Sequence, residues 1–104
     1  MSELPAQFIR FREEFPAIAQ AYDALGDAAH SNGPLDDQTR QLVKLALAIG
    51  GRLEGATHAH VRRALEMGIA PEAIKQVALL AITTLGYPTA VSAYTWINDV
   101  LDNR

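Results

Sequence analysis

The stretch TRQLVKLALAIGG, residues 39–51, decides the fold, because Lys44 is the only polar residue between Leu42 and Ile49. A helix with apolar residues on nearly every side is buried over most of its surface. The segment VALLAITTL, residues 77–85, has the same character. In a chain of 104 residues, one layer of neighbouring helices cannot cover two such helices. The remaining apolar surface is best buried against other subunits, so we expect a homo-oligomer.

Residues with known preferences for helix ends divide the rest of the chain. Asp36 or Asp37 can cap the start of the first apolar helix, and Gly33 suits a left-handed cap on the helix before it. Gly86 marks the end of the second apolar helix. No segment clearly shows the strict alternation of apolar and polar residues that predicts a half-buried strand. The sequence therefore predicts an all-α fold, a bundle of about six helices, in a single domain of residues 1–104.

The composition excludes several classes of function. Hydrophobic residues make up 49% of the chain and charged residues 20%, and the formal net charge of -3 argues against a nucleic-acid surface. The absence of cysteine excludes disulfides, thiolate metal sites and thiol redox chemistry. The apolar runs are shorter than the ~20 residues that span a bilayer. The first residues mix acids and arginines with apolar residues, unlike a signal peptide, so we expect a cytoplasmic protein without a membrane partner.

The stretch GRLEGATHAHVRRALEMG, residues 51–68, is predicted to form the fourth helix, closed by Gly68. Within it, His60 shares a face with Ala56 and Ala64, four residues away on either side. That face is small and apolar, so His60 is expected to point inward. An inward histidine with a partner can serve as a general acid or base. It can equally be a core histidine that is hydrogen-bonded to a neighbouring group, and the residues leave both interpretations open.

His58 lies two residues before His60, about 200° around the helix, so the two cannot chelate one metal as an i, i+4 pair can. We therefore predict no metal site and no cofactor. His58 is expected on an exposed polar face, near Glu54 and Arg62. Arg62 and Arg63 suit the bidentate binding of a carboxylate, or they are charges of the surface or of a subunit interface.

Tyr87 lies between Gly86 and Pro88, where one helix ends and the next begins. Its ring is expected either to form the wall of a substrate pocket or to pack against the helix junction. The chain has no glycine-rich phosphate loop, no nucleophile elbow and no pair of catalytic carboxylates. The residues alone therefore indicate no specific catalytic mechanism.

Two long segments resemble the carboxymuconolactone decarboxylase family, which shares its fold with alkylhydroperoxidase D. They are GPLDDQTRQLVKLALAIGG, residues 33–51, and HVRRALEMGIAPEAIKQVALLAITTLGYPTAVSA, residues 60–93. The resemblance covers roughly residues 15–102, and its most specific element is a histidine, an alanine and a glycine, here His60, Ala64 and Gly68. It implies an alkylhydroperoxidase D-like helical fold and assembly into dimers, trimers or hexamers. We expect a homo-oligomer, either a trimer or a hexamer.

The resemblance also identifies what this chain lacks. The peroxidase branch of the family has a Cys-x-x-Cys pair before the family histidine and a glutamate upstream that relays protons. Counted back from His60, the cysteine positions correspond to Leu53 and Ala56, and the glutamate position corresponds approximately to Gln41. Peroxide reduction of this kind needs a thiolate and a resolving thiol. We therefore predict that this chain has no thiol peroxidase activity.

The decarboxylase branch also lacks cysteine at this site, and its His-Val-Arg segment is similar to HVRRAL here. The resemblance implies loss of CO₂ from a small carboxylic lactone, with His60 as acid or base and Gln41 as hydrogen-bond donor. Arg62 or Arg63 would hold the substrate carboxylate. The alternative is a non-catalytic helical oligomer in which His60 serves packing and Leu53 fills the space between helices. A pocket lined by His60 and Gln41 would favour the enzyme.

Overall fold

In the computed structural model, residues 4–103 are described, and they form six helices in two units divided after Leu35. The first unit contains α1 (Ala6–Glu14) and α2 (Pro16–Ser31). The second unit contains α3 (Asp37–Gly50), α4 (Glu54–Glu66), α5 (Pro71–Leu85) and α6 (Tyr87–Leu101). No strand occurs among residues 4–103. These elements confirm the predicted all-α class and the number of helices.

A proline separates the two helices of the first unit. Pro16 has no backbone N–H, so it suits the first position of α2 and ends the preceding helix. The N–H of Phe15 closes α1 by donating to the carbonyl of Phe11 at 2.9 Å. The guanidinium of Arg12 on α1 donates to the carboxylate of Asp23 on α2. This ion pair joins the two helices of the unit.

The second unit contains the apolar core. Leu45 of α3, Val61 of α4, Ile74 of α5 and Ile97 of α6 are each 0% exposed, so every helix contributes a fully buried side chain. Alanines occupy the other buried positions of α5 and several of those in α3, α4 and α6. Small side chains let the helix backbones approach closely. Each fully buried aliphatic side chain contributes about 1.5–3 kcal/mol to the free energy of unfolding.

Three predicted helix boundaries are confirmed. Oδ1 of Asp36 accepts a hydrogen bond from the N–H of Thr39 at 2.8 Å, which caps the start of α3. Gly68 follows α4 with a φ of 83°, and Gly86 follows α5 with a φ of 103°. Both glycines lie in the positive-φ region that side chains with a Cβ rarely enter.

The predicted left-handed cap at Gly33 is wrong. The glycines with positive φ in the described part of the chain are Gly68 and Gly86, so Gly33 is not one of them. The helix before it ends at Ser31, whose hydroxyl donates to the carbonyl of Asp27 at 2.9 Å. That hydroxyl bonds back to a carbonyl one turn earlier in α2, so it does not take the place of a left-handed cap.

The turn between α3 and α4 has a left-handed residue that is not glycine. Gly50 ends α3 and Gly51 is its C-cap, and the left-handed residue is Arg52, with a φ of 55°. The N–H of Arg52 donates to the carbonyl of Ile49, and the N–H of Leu53 donates to that of Ala48. These two bonds form a Schellman motif, which usually has glycine at the left-handed position.

Both apolar helices leave one face outside the core. Between α3 and α5 lies a groove of about 830 Å³ with a largely apolar lining. Leu47 of α3 is 68% exposed in it, and Leu80 of α5 is 64% exposed. None of the helices within residues 4–103 has the length and hydropathy that a helix needs to span a bilayer.

Candidate functional site

Gln41 and His60 meet where α3 packs against α4. The Gln41 side chain is buried, and His60 is half-buried. Nε2 of Gln41 lies 3.0 Å from the backbone oxygen of His60 and 3.1 Å from Nδ1 of the His60 ring. The structure therefore places the two residues predicted to be catalytic in direct contact.

The backbone oxygen of His60 determines which hydrogens this contact uses. A carbonyl oxygen only accepts, so the group facing it must be the amide nitrogen of Gln41, which has two hydrogens. One hydrogen goes to that oxygen and leaves the other for Nδ1 of the ring. Nδ1 then accepts, and in a neutral imidazole the proton must be on Nε2. Gln41 thus selects the tautomer in which Nε2 of His60 is the donor.

Two basic residues lie one helical turn after this pair, one on α3 and one on α4. Lys44 follows Gln41 by three residues on α3, and Arg63 follows His60 by three residues on α4, so each shares a face with its neighbour. Burial lowers the pKa of Lys44 below its ordinary value, and the positive charge of Arg63 lowers it further. The two positive charges therefore act on each other where α3 packs against α4. We define Gln41, Lys44, His60 and Arg63 as the α3–α4 cluster.

Lys44 was not among the site residues predicted from the sequence. The available signal was its position as the only polar residue between Leu42 and Ile49, in a helix that is otherwise apolar. A lysine there needs a reason to be half-buried. Its proximity to Arg63 depends on how α3 packs against α4, which the local sequence does not specify.

The remaining predicted substrate-binding residues lie at different places. Arg62 is half-buried on α4, next to Arg63 in the chain. Tyr87 is the first residue of α6 and is 67% exposed. A pocket of about 310 Å³ nearby is lined by Arg52, Pro88, Thr89, Ser92 and Trp96, and Tyr87 is not among its lining residues. The role of Tyr87 in a pocket wall stays a prediction.

The two positions corresponding to the peroxidase cysteines lie at the start of α4. Leu53 is the N-cap residue and is 54% exposed, and Ala56 is half-buried in the first turn. Neither side chain has an atom that can donate an electron pair to a peroxide. The chemistry available to the site is therefore that of the amide, the imidazole and the cations.

His58 points away from the α3–α4 cluster. Its Nε2 lies 3.0 Å from Oδ2 of Asp99 on α6, and 22% of its side chain is exposed. Of the two neighbours predicted from the sequence, Glu54 and Arg62, Glu54 has a carboxylate oxygen within 4.8 Å of a ring nitrogen of His58, whereas Asp99 was not predicted. Asp99 is 41 residues further along the chain, so only the packing of α4 against α6 brings it close.

Comparisons with known proteins agree with the resemblance stated from the sequence. A model of the carboxymuconolactone decarboxylase family matches residues 16–99. Over 63 residues the chain is 38% identical to an uncharacterized protein from Haemophilus influenzae, a match that covers 61% of this chain. The matched region covers 56% of that protein, so the chain spans about half the length of this curated relative.

A solved structure gives the same result for the fold. It is the crystal structure of the apo form of a carboxymuconolactone decarboxylase family protein from Legionella pneumophila. The TM-score is 0.78 at 22% identity, over 93% of this chain and 86% of that chain. This likeness confirms the predicted alkylhydroperoxidase D-like helical fold. Because the family model matches most of the sequence, the chain belongs to the carboxymuconolactone decarboxylase family.

Proposed function

We propose that the chain is a lyase that removes CO₂ from a small carboxylic lactone or a related acid. The observation that carries the proposal is the hydrogen bonding of Gln41, whose amide donates both to the backbone oxygen and to Nδ1 of His60. A side chain held in this way presents one defined donor, Nε2–H. A fixed donor suits a reaction in which negative charge develops on an oxygen.

The replacement of glutamate by Gln41 fits this role better than it fits proton relay. A carboxylate at position 41 would accept a proton from Nδ1 and leave Nε2 as a base, and it would be repelled by the backbone oxygen of His60. The amide of Gln41 instead donates to Nδ1, which leaves the proton on Nε2, and it is attracted to the backbone oxygen of His60. The proposal therefore assigns His60 the role of hydrogen-bond and proton donor, rather than that of a general base.

Lys44 and Arg63 supply the second requirement, which is a site for the substrate anion. Burial lowers the pKa of Lys44 and the charge of Arg63 lowers it further, and a bound carboxylate would offset both effects. Arg62 is the adjacent candidate for the same task. Cations one helical turn from Gln41 and His60 would orient the reacting acid toward Nε2 of His60.

The reaction takes up one proton for each CO₂ that it releases. The bond between the carboxylate carbon and the lactone breaks, CO₂ leaves, and the bonding electron pair passes into the lactone as an enolate-type anion. Nε2–H of His60 stabilises the developing negative oxygen, and one proton is added to carbon to give the enol-lactone. No thiol takes part, in agreement with the predicted absence of thiol peroxidase activity.

The experiment that tests the proposal measures turnover of γ-carboxymuconolactone by ultraviolet absorbance. Wild type should consume the substrate, and His60→Ala should lower kcat by about 100-fold or more, as expected for loss of a donor to a developing anion. Gln41→Glu should lower kcat as well, because the carboxylate favours the other tautomer. His30→Ala, a histidine change in the first unit, is the matched control and should keep the wild-type rate.

The second candidate function is a non-catalytic helical homo-oligomer. It is favoured by the apolar groove between α3 and α5, in which Leu47 and Leu80 are both more than half exposed. Neither that groove nor the pocket beside Arg52 is lined by His60. Absence of turnover in wild type and His60→Ala, with both folded and equal in assembly size, would reject this lactone as substrate and favour the oligomer.

A further inference from the structure

Three side chains of the types that ligate metals lie together where α4 packs against α6. They are Glu54 and His58 of α4 and Asp99 of α6, and one ligand atom of each lies within 4.8 Å of the other two. Nε2 of His58 lies 3.0 Å from Oδ2 of Asp99. We propose that Glu54, His58 and Asp99 form a binding site for a divalent transition metal, with Zn²⁺ as the ion that fits best. The proposal does not depend on the proposed lyase activity.

The helices provide the spacing that a metal needs. Glu54 and His58 are four residues apart on α4, so both side chains project from one face, as in helical metal sites with an i, i+4 pair. Asp99 adds a ligand from a second helix that packs on the first. Thr57 and Ile97, close in sequence to His58 and Asp99, are fully buried, which anchors both helices.

The distances are close to those of a bound ion. Zinc binds imidazole nitrogen and carboxylate oxygen at about 2.0–2.2 Å, so tetrahedral ligand atoms lie about 3.3–3.5 Å apart. The His58–Asp99 separation is 3.0 Å and all three ligand atoms lie within 4.8 Å of one another, a range that includes this value. Glu54 and Asp99 are exposed, so small rotations of their side chains can bring the oxygens to the ion.

The charges also point to a cation. Glu54 and Asp99 bring two carboxylates to the same histidine side chain. Two carboxylates at one point repel each other unless a positive charge lies between them. A divalent ion cancels their two negative charges. With one nitrogen and two oxygen ligands, the fourth position of a tetrahedral zinc would remain open to water or to an anion.

The sequence analysis predicted no metal site, and the proposal departs from it. That prediction considered only His58 and His60, which do have different partners, Asp99 and Gln41. The i, i+4 pair within the helix is Glu54 with His58, and its third ligand is distant in sequence. The proposed metal site therefore lies on the side of α4 that faces α6, and the α3–α4 cluster lies on the side that faces α3.

Calorimetric titration of the metal-free full chain with ZnCl₂ tests the proposal. Wild type should bind one Zn²⁺ per chain, and His58→Ala, Asp99→Asn and Glu54→Gln should each weaken binding about tenfold or more. Zinc should raise the Tm of wild type and not that of Asp99→Asn, because a ligand that binds only the folded state stabilises it. The matched control, His30→Ala, should bind zinc as wild type does.

Two outcomes would overturn the proposal. One is the absence of saturable zinc binding by wild type. The other is equal binding by wild type, Asp99→Asn and Glu54→Gln, which would show an adventitious ion only. Glu54 and Asp99 are exposed, so these two variants should fold even if His58→Ala does not. Circular dichroism of each metal-free variant establishes its helix content before titration.

Discussion

Thr57 is fully buried on α4, and within the described residues its hydroxyl oxygen has no hydrogen-bond partner. A buried polar atom without a partner retains the cost of leaving water. We expect Thr57→Val, which keeps the shape of the side chain, to raise the free energy of unfolding by about 1 kcal/mol. Urea denaturation measures this change in the free energy of unfolding. Thr95→Val is the control, because Thr95 is exposed, and it should change stability by no more than about 0.5 kcal/mol. A loss of stability in Thr57→Val would contradict the expectation.

The half-buried Lys44 side chain makes the free energy of unfolding depend on pH. Its pKa in the folded chain lies below the ordinary value of 10.5, so folding disfavours its charge. As pH rises toward 10.5, the folded chain loses the proton first, while the unfolded chain still binds it, so the stability of the fold increases. The Tm of wild type relative to Lys44→Met should therefore rise across this alkaline range. Arg63→Gln should weaken the trend only in part, since burial is the larger cause. A difference in Tm that stays constant with pH would exclude this role of Lys44.

At the scale of elements, the turn from α3 to α4 stores conformational strain at Arg52. Its φ of 55° is unfavourable for a residue with a Cβ, and its Nη2 donates to Oγ1 of Thr89 at 3.0 Å. Arg52→Gly and Arg52→Ala both lose that hydrogen bond, so their difference isolates the backbone. Arg52→Gly should be more stable than Arg52→Ala by about 1 kcal/mol in thermal denaturation. Equal stability of the two variants would mean that the turn relaxes without a left-handed residue.

The sequence predicted the boundaries of the helices better than it predicted the side-chain contacts between them. Asp36, Gly68 and Gly86 act on their own backbone, so these helix boundaries could be predicted from the local sequence. The contact between His58 and Asp99 depends on packing between distant segments, and no local pattern encodes it. For the same reason, Gln41 was placed opposite His60 only through the family resemblance. A local rule failed at Gly33, which does not have the positive φ of a left-handed cap.

At the scale of the whole molecule, the exposed apolar groove between α3 and α5 predicts self-association. Leu47 and Leu80 are 68% and 64% exposed, so both carry apolar surface that association would remove from water. Wild type should therefore have a multiple of the chain mass in light scattering coupled to size-exclusion chromatography. Leu47→Glu and Leu80→Glu place charge in the groove and should shift the mass toward that of a monomer.

Thr83→Glu provides the matched control for this measurement. It adds the same charge to the same helix as Leu80→Glu, at an exposed position that does not line the groove. It should keep the wild-type mass, because only a charge buried on association opposes assembly. A monomeric wild type, or a Leu80→Glu variant that assembles as wild type does, would show that the groove is not a subunit interface. The exposed apolar faces of α3 and α5 would then have a role other than self-association.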